Sequence, residues 1–144
     1  MKRLLFAGLA LALGVSFAAA DSDAIKQRRA LMKANGEATK SVVDMLKGTT
    51  AFDLAAAEKA LATYQDAAAK MPGLFPPDSK TGDTNALPAA WDNKADLDAR
   101  FEKLGVDAKA AAAAIKDEAS FKATMPGVLK NCGGCHELYR QKTS

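Results

Sequence analysis

The sequence predicts an all-α protein built as an antiparallel four-helix bundle, and three observations support this fold class. Of the 144 residues, 49% are hydrophobic, and this apolar share depends heavily on alanine, which favours helices. Aromatic residues make up only 6%, and residues that favour strands are sparse. Four stretches carry apolar residues at helical spacing, with one long link between the second and the third. A single domain of this length can bury a core.

The first twenty residues have the order of a secretory signal peptide. A short basic start at residues 1–3 precedes an apolar run at 4–13, and small residues then become frequent up to Ala20. The segment only just reaches the lower limit for spanning a bilayer, and acidic residues follow it rather than a basic stop signal. We therefore expect a signal peptide at 1–20 and one mature domain at 21–144, which resides in the periplasm and has no membrane span.

The charge of the mature chain gives little guide to its partners. The full sequence has a net charge of +3, but cleavage would leave 18 basic residues against 17 acidic ones, a charge of about +1. No stretch concentrates Lys and Arg with aromatic residues, so the sequence does not support a nucleic-acid partner.

The first two helices are marked by their ends. Asp23 is the expected N-cap of the first helix, and Gly48 ends it, as a glycine after a helix commonly does. The second helix is expected over about residues 53–71, where a Pro-Gly pair stops it.

A long loop separates the second helix from the third. Residues 72–88 hold four of the five prolines, which predicts a loop, and its Leu74-Phe75 pair should pack into the core. The third helix is expected to begin near Ala89 or Trp91 and to run to about Ile115.

The fourth helix is expected over about residues 118–141, with Asp117 as its N-cap. Pro126 lies inside this stretch and should either kink the helix or mark its true start. No stretch of the sequence shows the alternation of a strand.

The fourth helix carries the motif Cys132-Gly133-Gly134-Cys135-His136, which contains every Cys and His of the sequence. This C-x-x-C-H spacing is that of c-type haem attachment. Two thiols at this spacing can add to the two vinyl groups of one porphyrin, and the adjacent imidazole then binds the iron. The motif predicts one haem c, covalently attached near the C-terminus through Cys132 and Cys135, with His136 as the proximal iron ligand.

Other interpretations of the two cysteines have less support. A zinc site would need further ligands, and the sequence has none. A disulfide between Cys132 and Cys135 is sterically poor within a helix and would connect almost nothing. A haem-free dithiol redox module is the remaining alternative, although the βαβ elements of a thioredoxin-like fold are absent from the pattern.

Several segments besides the motif are similar to one known family. They are Arg28-Arg29-Ala30-Leu31-Met32-Lys33 in the first helix, Leu74-Phe75-Pro76 in the loop, Trp91 at the third helix, and Arg140 one turn after His136. With them, the mature chain resembles the class II c-type cytochromes, which comprise cytochrome c′ and low-spin relatives such as cytochrome c-556. The resemblance implies a four-helix bundle around haem c, in a monomer or a homodimer.

The resemblance also implies roles for three residues outside the motif. Arg28 looks like a family arginine that lies near a haem propionate, and Arg140 looks like one that shields the proximal imidazole. The alternative for both is ordinary solvated helix charge. Trp91 is either a contact of the haem edge or a core residue.

The sixth coordination position decides which function the resemblance implies. Met32 lies where a Met binds iron in the low-spin group, so we expect His136 and Met32 as axial ligands of an electron carrier. Such a protein exchanges electrons with redox partner proteins and turns over no substrate. The alternative is a five-coordinate, high-spin cytochrome c′ whose open face binds diatomic gases, nitric oxide or carbon monoxide. The mature chain has three other methionines, which are Met45, Met71 and Met125.

Overall fold

The computed structural model describes residues 22–142, so the predicted signal peptide at 1–20 lies outside the described residues. This part of the chain is helical and has no strand, which confirms the predicted fold class. Four long helices and one short helix follow one another in the order α1 (Asp23–Leu46), α2 (Leu54–Lys70), α3 (Ala89–Asp92), α4 (Lys94–Ala114) and α5 (Glu118–Tyr139). No helix among the described residues is long and apolar enough to cross a membrane.

The ends of α1 correct one predicted cap and confirm one predicted stop. Ser22, rather than Asp23, is the N-cap, because its backbone is extended and its Oγ accepts a hydrogen bond from the Ile25 N–H at 3.4 Å. Asp23 instead lies in the first turn, where a negative charge interacts favourably with the helix dipole. Gly48 follows the helix at a φ of +73°, a conformation that favours glycine.

The predicted third helix is divided into two. Asn93 has a φ of −115° and a ψ of 44°, so it separates the single turn of α3 from the long helix α4. Its N–H still donates to the Ala89 carbonyl at 2.9 Å, and its carbonyl accepts from the Leu97 N–H at 3.1 Å. Asn readily adopts such non-helical conformations, so the break falls at this residue. Trp91 lies in α3.

The helix α5 begins at Glu118, and Pro126 does not mark its start. Asp117 caps it, as predicted, and forms a reciprocal pair with Ser120. The Ser120 N–H donates to Asp117 Oδ1 at 2.8 Å, and the Asp117 N–H donates to Ser120 Oγ at 3.0 Å. The helix is therefore already fixed two turns before Pro126, which lies on an exposed part of α5.

The interior is divided into two core clusters along the bundle. The first core cluster includes Val42, Met45, Leu61, Tyr64, Phe121 and Met125. The second core cluster consists of Ala67, Met71, Ala90, Leu97, Phe101 and Tyr139. Leu74 and Phe75 pack against the second core cluster, which confirms that the loop is anchored in the core. At the first core cluster α2 and α4 approach closely, because a Cβ at Gly105 would lie 3.2 Å from that of Ala68, a member of this cluster.

The long linker at 72–88 closes over the end of α5. The Leu87 N–H donates to the Tyr139 carbonyl at 2.9 Å, and the Gln141 N–H donates to the Asn85 carbonyl at 2.8 Å. These bonds satisfy backbone groups at the C-terminus of α5, where a helix leaves its last carbonyls without internal partners. The linker and the last turns of α5 therefore form one end of the molecule.

Candidate haem site

The attachment motif occupies the last turns of α5. Both cysteines have free thiols and are half-buried. Burial is the main cause that raises the pKa of the Cys132 and Cys135 thiols above the usual value. A helix C-terminus also disfavours a thiolate, since the dipole there is negative. These thiols are therefore unlike the low-pKa cysteines of dithiol oxidoreductases, which commonly lie at helix N-termini.

The fold brings three of the predicted site residues to one end of the bundle. Met32, Trp91 and Cys135 all pack against the second core cluster. They come from α1, α3 and α5, so Met32 and Cys135 are about a hundred residues apart in the sequence, and only the bundle topology unites them. This end of the molecule is the one that the linker closes.

The imidazole of His136 is half-buried on α5. Burial and, to a lesser degree, the nearby positive charge of Arg140 lower the pKa of His136 below its usual value. The neutral ring that results is the form that binds a metal ion. Arg140 lies one turn later, its N–H donates to the His136 carbonyl at 3.2 Å, and its side chain is exposed.

Arg28 is buried rather than solvated, with 5% of its surface exposed. Its Nη1 donates to the Leu74 carbonyl at 2.5 Å and to Ser79 Oγ at 2.7 Å. Its Nη2 donates to the Ser79 carbonyl at 3.0 Å and to Thr84 Oγ1 at 3.2 Å. Burial lowers the pKa of the guanidinium. These four hydrogen bonds all go to neutral oxygens of the linker, so the charge of Arg28 has no carboxylate partner in them.

Two aromatic rings also lie beside the Arg28 guanidinium. The Arg28 Cζ lies 4.8 Å from the ring centroid of Phe75 and 5.3 Å from that of Trp91. The two rings contact each other edge to face at 5.4 Å, and the Trp91 indole N–H donates to the Pro76 carbonyl at 3.0 Å. Trp91 therefore packs against the linker, beside Arg28.

Arg100 on α4 contacts the motif, and the sequence did not predict this contact. Arg100 Nη1 donates to the Gly134 carbonyl at 3.2 Å, and its Nε donates to Asp96 Oδ2 at 2.6 Å. The Tyr139 hydroxyl donates to the same Asp96 carboxylate. The i,i+4 spacing of Asp96 and Arg100 predicts a helical ion pair, but nothing in it predicts a contact with the motif.

The burial of Asn35 on α1 was also not predicted from the sequence. It is 9% exposed, and its Oδ1 has no hydrogen-bond partner among the described residues. Arg28, Met32 and Asn35 lie at spacings of four and three, which places them along one face of α1. The helical spacing from Arg28 and Met32 could have indicated that Asn35 faces the core, although an Asn on a helix is more often exposed than buried.

These residues fit a covalently attached haem c. Two free thiols and an imidazole follow one another at the attachment spacing, as the chemistry of the porphyrin and the iron requires. The buried cation of Arg28 suits an anionic propionate, and the buried Oδ1 of Asn35 lacks a partner from the described chain. Within residues 22–142, no three His, Cys, Asp or Glu side chains converge as a site for a bare metal ion.

Comparison with known proteins gives a consistent result. The chain matches the family described as Cytochrome C' over residues 23–140. It is 52% identical to a cytochrome c' of Rhodopseudomonas palustris over 139 residues, which cover 96% of this chain and 94% of that one. It is 35% identical to a cytochrome c-556 of Agrobacterium tumefaciens over 119 residues, which cover 82% of this chain and 97% of that one.

Solved structures of the same two groups share the fold. The cytochrome c' of Rhodopseudomonas palustris superposes with a TM-score of 0.82 at 52% identity, over 85% of this chain and 99% of that chain. A structural model of oxidised cytochrome c556 from the same organism gives a TM-score of 0.76 at 29% identity, over 85% and 98% of the two chains. The chain therefore belongs to the cytochrome c' family, the class II c-type cytochromes, whose members bind haem c covalently.

Proposed function

We propose that this protein is a periplasmic electron carrier whose haem iron is low-spin, with His136 and Met32 as its axial ligands. One observation carries the proposal: Met32 and Cys135 pack against the same core cluster, although they lie on different helices. A Met sulfur on that side of the bundle would complete the coordination that His136 begins. A six-coordinate iron with unchanged ligands suits electron transfer, because little has to rearrange between its two oxidation states.

The protein residues bind the haem and tune its surroundings. Cys132 and Cys135 would hold the porphyrin through thioethers, and His136, with its lowered pKa, would present a neutral nitrogen to the iron. When bound, the haem supplies one-electron chemistry between Fe(II) and Fe(III). Arg28, buried among neutral partners, would balance a propionate through its remaining Nε–H, since its four Nη–H groups already have acceptors.

Met32 is less buried than the other three methionines of the described chain. Met45 and Met125 are buried in the first core cluster, away from the cluster that Cys135 contacts. Met71 is buried within the second core cluster itself, where it packs against other side chains. Met32 is only half-buried, at the surface of the second core cluster, so its thioether remains available as a ligand.

The second candidate function is gas binding at a five-coordinate iron. The higher overall identity to a cytochrome c' than to a cytochrome c-556 favours this candidate. Under it, Met32 would only pack against the porphyrin, and the open face would bind nitric oxide or carbon monoxide. The haem-free dithiol module has less support, because both thiols have raised pKa values at the C-terminal end of a helix.

Optical spectra of the purified mature protein test the assignment. The oxidised, reduced and carbon monoxide-treated reduced forms are compared for the wild type, Met32→Ala and Met45→Ala. We expect a low-spin wild type with a near-infrared methionine–iron band and no response to carbon monoxide. Met32→Ala should become high-spin and bind carbon monoxide. Met45→Ala, a truncation on the same helix but in the first core cluster, should remain low-spin.

Each alternative has its own spectroscopic outcome. A wild type that is high-spin and shifts under carbon monoxide would establish the gas-binding function instead. A Met32→Ala variant that remained low-spin would refute Met32 as the ligand. The absence of a Soret band after export with the cytochrome maturation machinery would favour the dithiol module. N-terminal sequencing of periplasmic protein checks cleavage after Ala20.

A further inference from the structure

A buried amide without a partner lies one helical turn from Met32. Asn35 is 9% exposed, and none of the described residues donates a hydrogen bond to its Oδ1. Buried polar atoms of native proteins are nearly always satisfied, so an exception requires a physical reason. No other buried side-chain nitrogen or oxygen atom in residues 22–142 lacks a partner.

The neighbours of Asn35 place it on the side of α1 that faces the interior of the bundle, where Cys135 also packs. Met32, three residues earlier, packs against the second core cluster together with Cys135. Thr39, four residues later, has its Oγ1 3.0 Å from the Tyr64 hydroxyl oxygen. Residues at these spacings share one helix face. Asn35 thus lies between Met32, which packs against the same cluster as Cys135, and Thr39, which contacts Tyr64.

The hydroxyl that Thr39 contacts belongs to Tyr64, a fully buried residue of the first core cluster. Met32 packs against the second core cluster, so Asn35 lies on the face of α1 between the two clusters.

We infer that the carboxamide oxygen of Asn35 faces the haem side of the bundle and lowers the reduction potential of the iron. The inference rests on the proposed haem function. The oxygen is the negative end of the amide dipole, and none of the described side chains satisfies it. A negative dipole end stabilises Fe(III) more than Fe(II), and a buried position strengthens the interaction. Asn35 is thus a tuning residue, which acts on the iron without binding it.

The test is the reduction potential of the haem-loaded Asn35→Leu variant, measured by spectroscopic redox titration. Leucine has a similar shape and removes the dipole. We expect the ratio of reduced to oxidised iron at a fixed potential to rise about fivefold, the scale of one neutral hydrogen bond. This change corresponds to a potential about 40 mV higher, at 59 mV for each tenfold change. The wild-type spin state should be retained, because Met32 and His136 are unchanged.

The matched control is Gln65→Leu, which removes a half-buried amide from α2. The Gln65 Nε2 donates to the Leu61 carbonyl at 3.3 Å, so this amide already has a partner on its own helix. We expect the potential of this variant to stay at the wild-type value. If Asn35→Leu does not fold, Asn35→Val removes the same dipole with a smaller side chain, and its potential should rise likewise.

The outcomes separate this inference from the proposed function. An unchanged potential in a haem-loaded Asn35→Leu variant would show that the amide is remote from the iron, and the inference would fail while the haem function stands. A lowered potential would mean that the amide N–H₂ group, rather than the oxygen, faces the iron, and this too would overturn the inference. A wild type without a haem spectrum would refute the proposed function itself.

Discussion

Replacing Arg28 with methionine should release the linker at 72–88 and destabilise the protein by about 3–5 kcal/mol. Each hydrogen bond to a charged group contributes about 1.5–3 kcal/mol, and Arg28 makes four of them. The contributions are not additive, because they share one guanidinium. The Ser79 carbonyl and hydroxyl are fully buried, at 0% exposure, and losing these donors costs about 1–3 kcal/mol for a group left unsatisfied. Methionine replaces part of the packing of the aliphatic stem.

The matched control is the neighbouring arginine, Arg29. Its side chain is 56% exposed and pairs with Asp83 of the same linker. An exposed pair of this kind contributes about 0–1 kcal/mol, so Arg29→Met should change the stability little. Both variants remove one positive charge from adjacent positions of α1, and only burial and hydrogen bonding distinguish them.

Urea unfolding of the haem-loaded variants, followed by far-ultraviolet circular dichroism, measures the difference. Amide hydrogen exchange across residues 72–88 should also become faster in Arg28→Met and not in Arg29→Met, because the linker carbonyls lose their donor. Equal unfolding free energies for the two variants would refute the reasoning, and so would unchanged exchange in the linker. A loss confined to the linker would show that it opens independently of the bundle.

Two further predictions concern the end of the bundle opposite the motif. Asp117→Ala should cost about 1 kcal/mol of unfolding free energy, the usual contribution of a helix cap, whereas Asp117→Asn should retain most of it at neutral pH. Hydrogen bonds from Ser120 hold the pKa of Asp117 below its usual range. The ionised Asp117 side chain therefore stabilises the folded protein fully at a pH above the ordinary carboxyl pKa. This stabilisation is lost as the pH falls through the lowered pKa of the folded state. Urea unfolding between about pH 7 and pH 3 should show a fall in the unfolding free energy of the wild type and a smaller fall for Asp117→Asn. If the unfolding free energies of the two proteins changed in parallel with pH, the prediction would be contradicted. Phe121→Ala should cost about 3–5 kcal/mol, because its fully buried ring lies 5.2 Å from that of Phe52, yet leave the Soret band unchanged; a loss under 1 kcal/mol would contradict the packing.

The helical pattern was predictable because it depends on neighbours in the sequence. Apolar spacing, the Asp117 cap and the glycine after α1 are local signals, and the structure confirms each of them. The misjudged details are also local. Ser22 replaces Asp23 as the cap because either side chain can accept the N–H bond, and the backbone conformation decides between them. Asn93 divides the third helix although the apolar stripe continues across it.

The sequence by itself determined the cofactor, since the C-x-x-C-H spacing, complete within five consecutive residues, is typical of covalent haem attachment. Only the tertiary structure decided what surrounds that motif. It brings Met32 and Cys135 to one core cluster, buries Arg28 against a linker about fifty residues away, and leaves the Asn35 amide unsatisfied. The physical reason is that burial and long-range hydrogen bonds depend on how four helices and a linker pack. A helical wheel shows which residues share a face, but not what that face contacts.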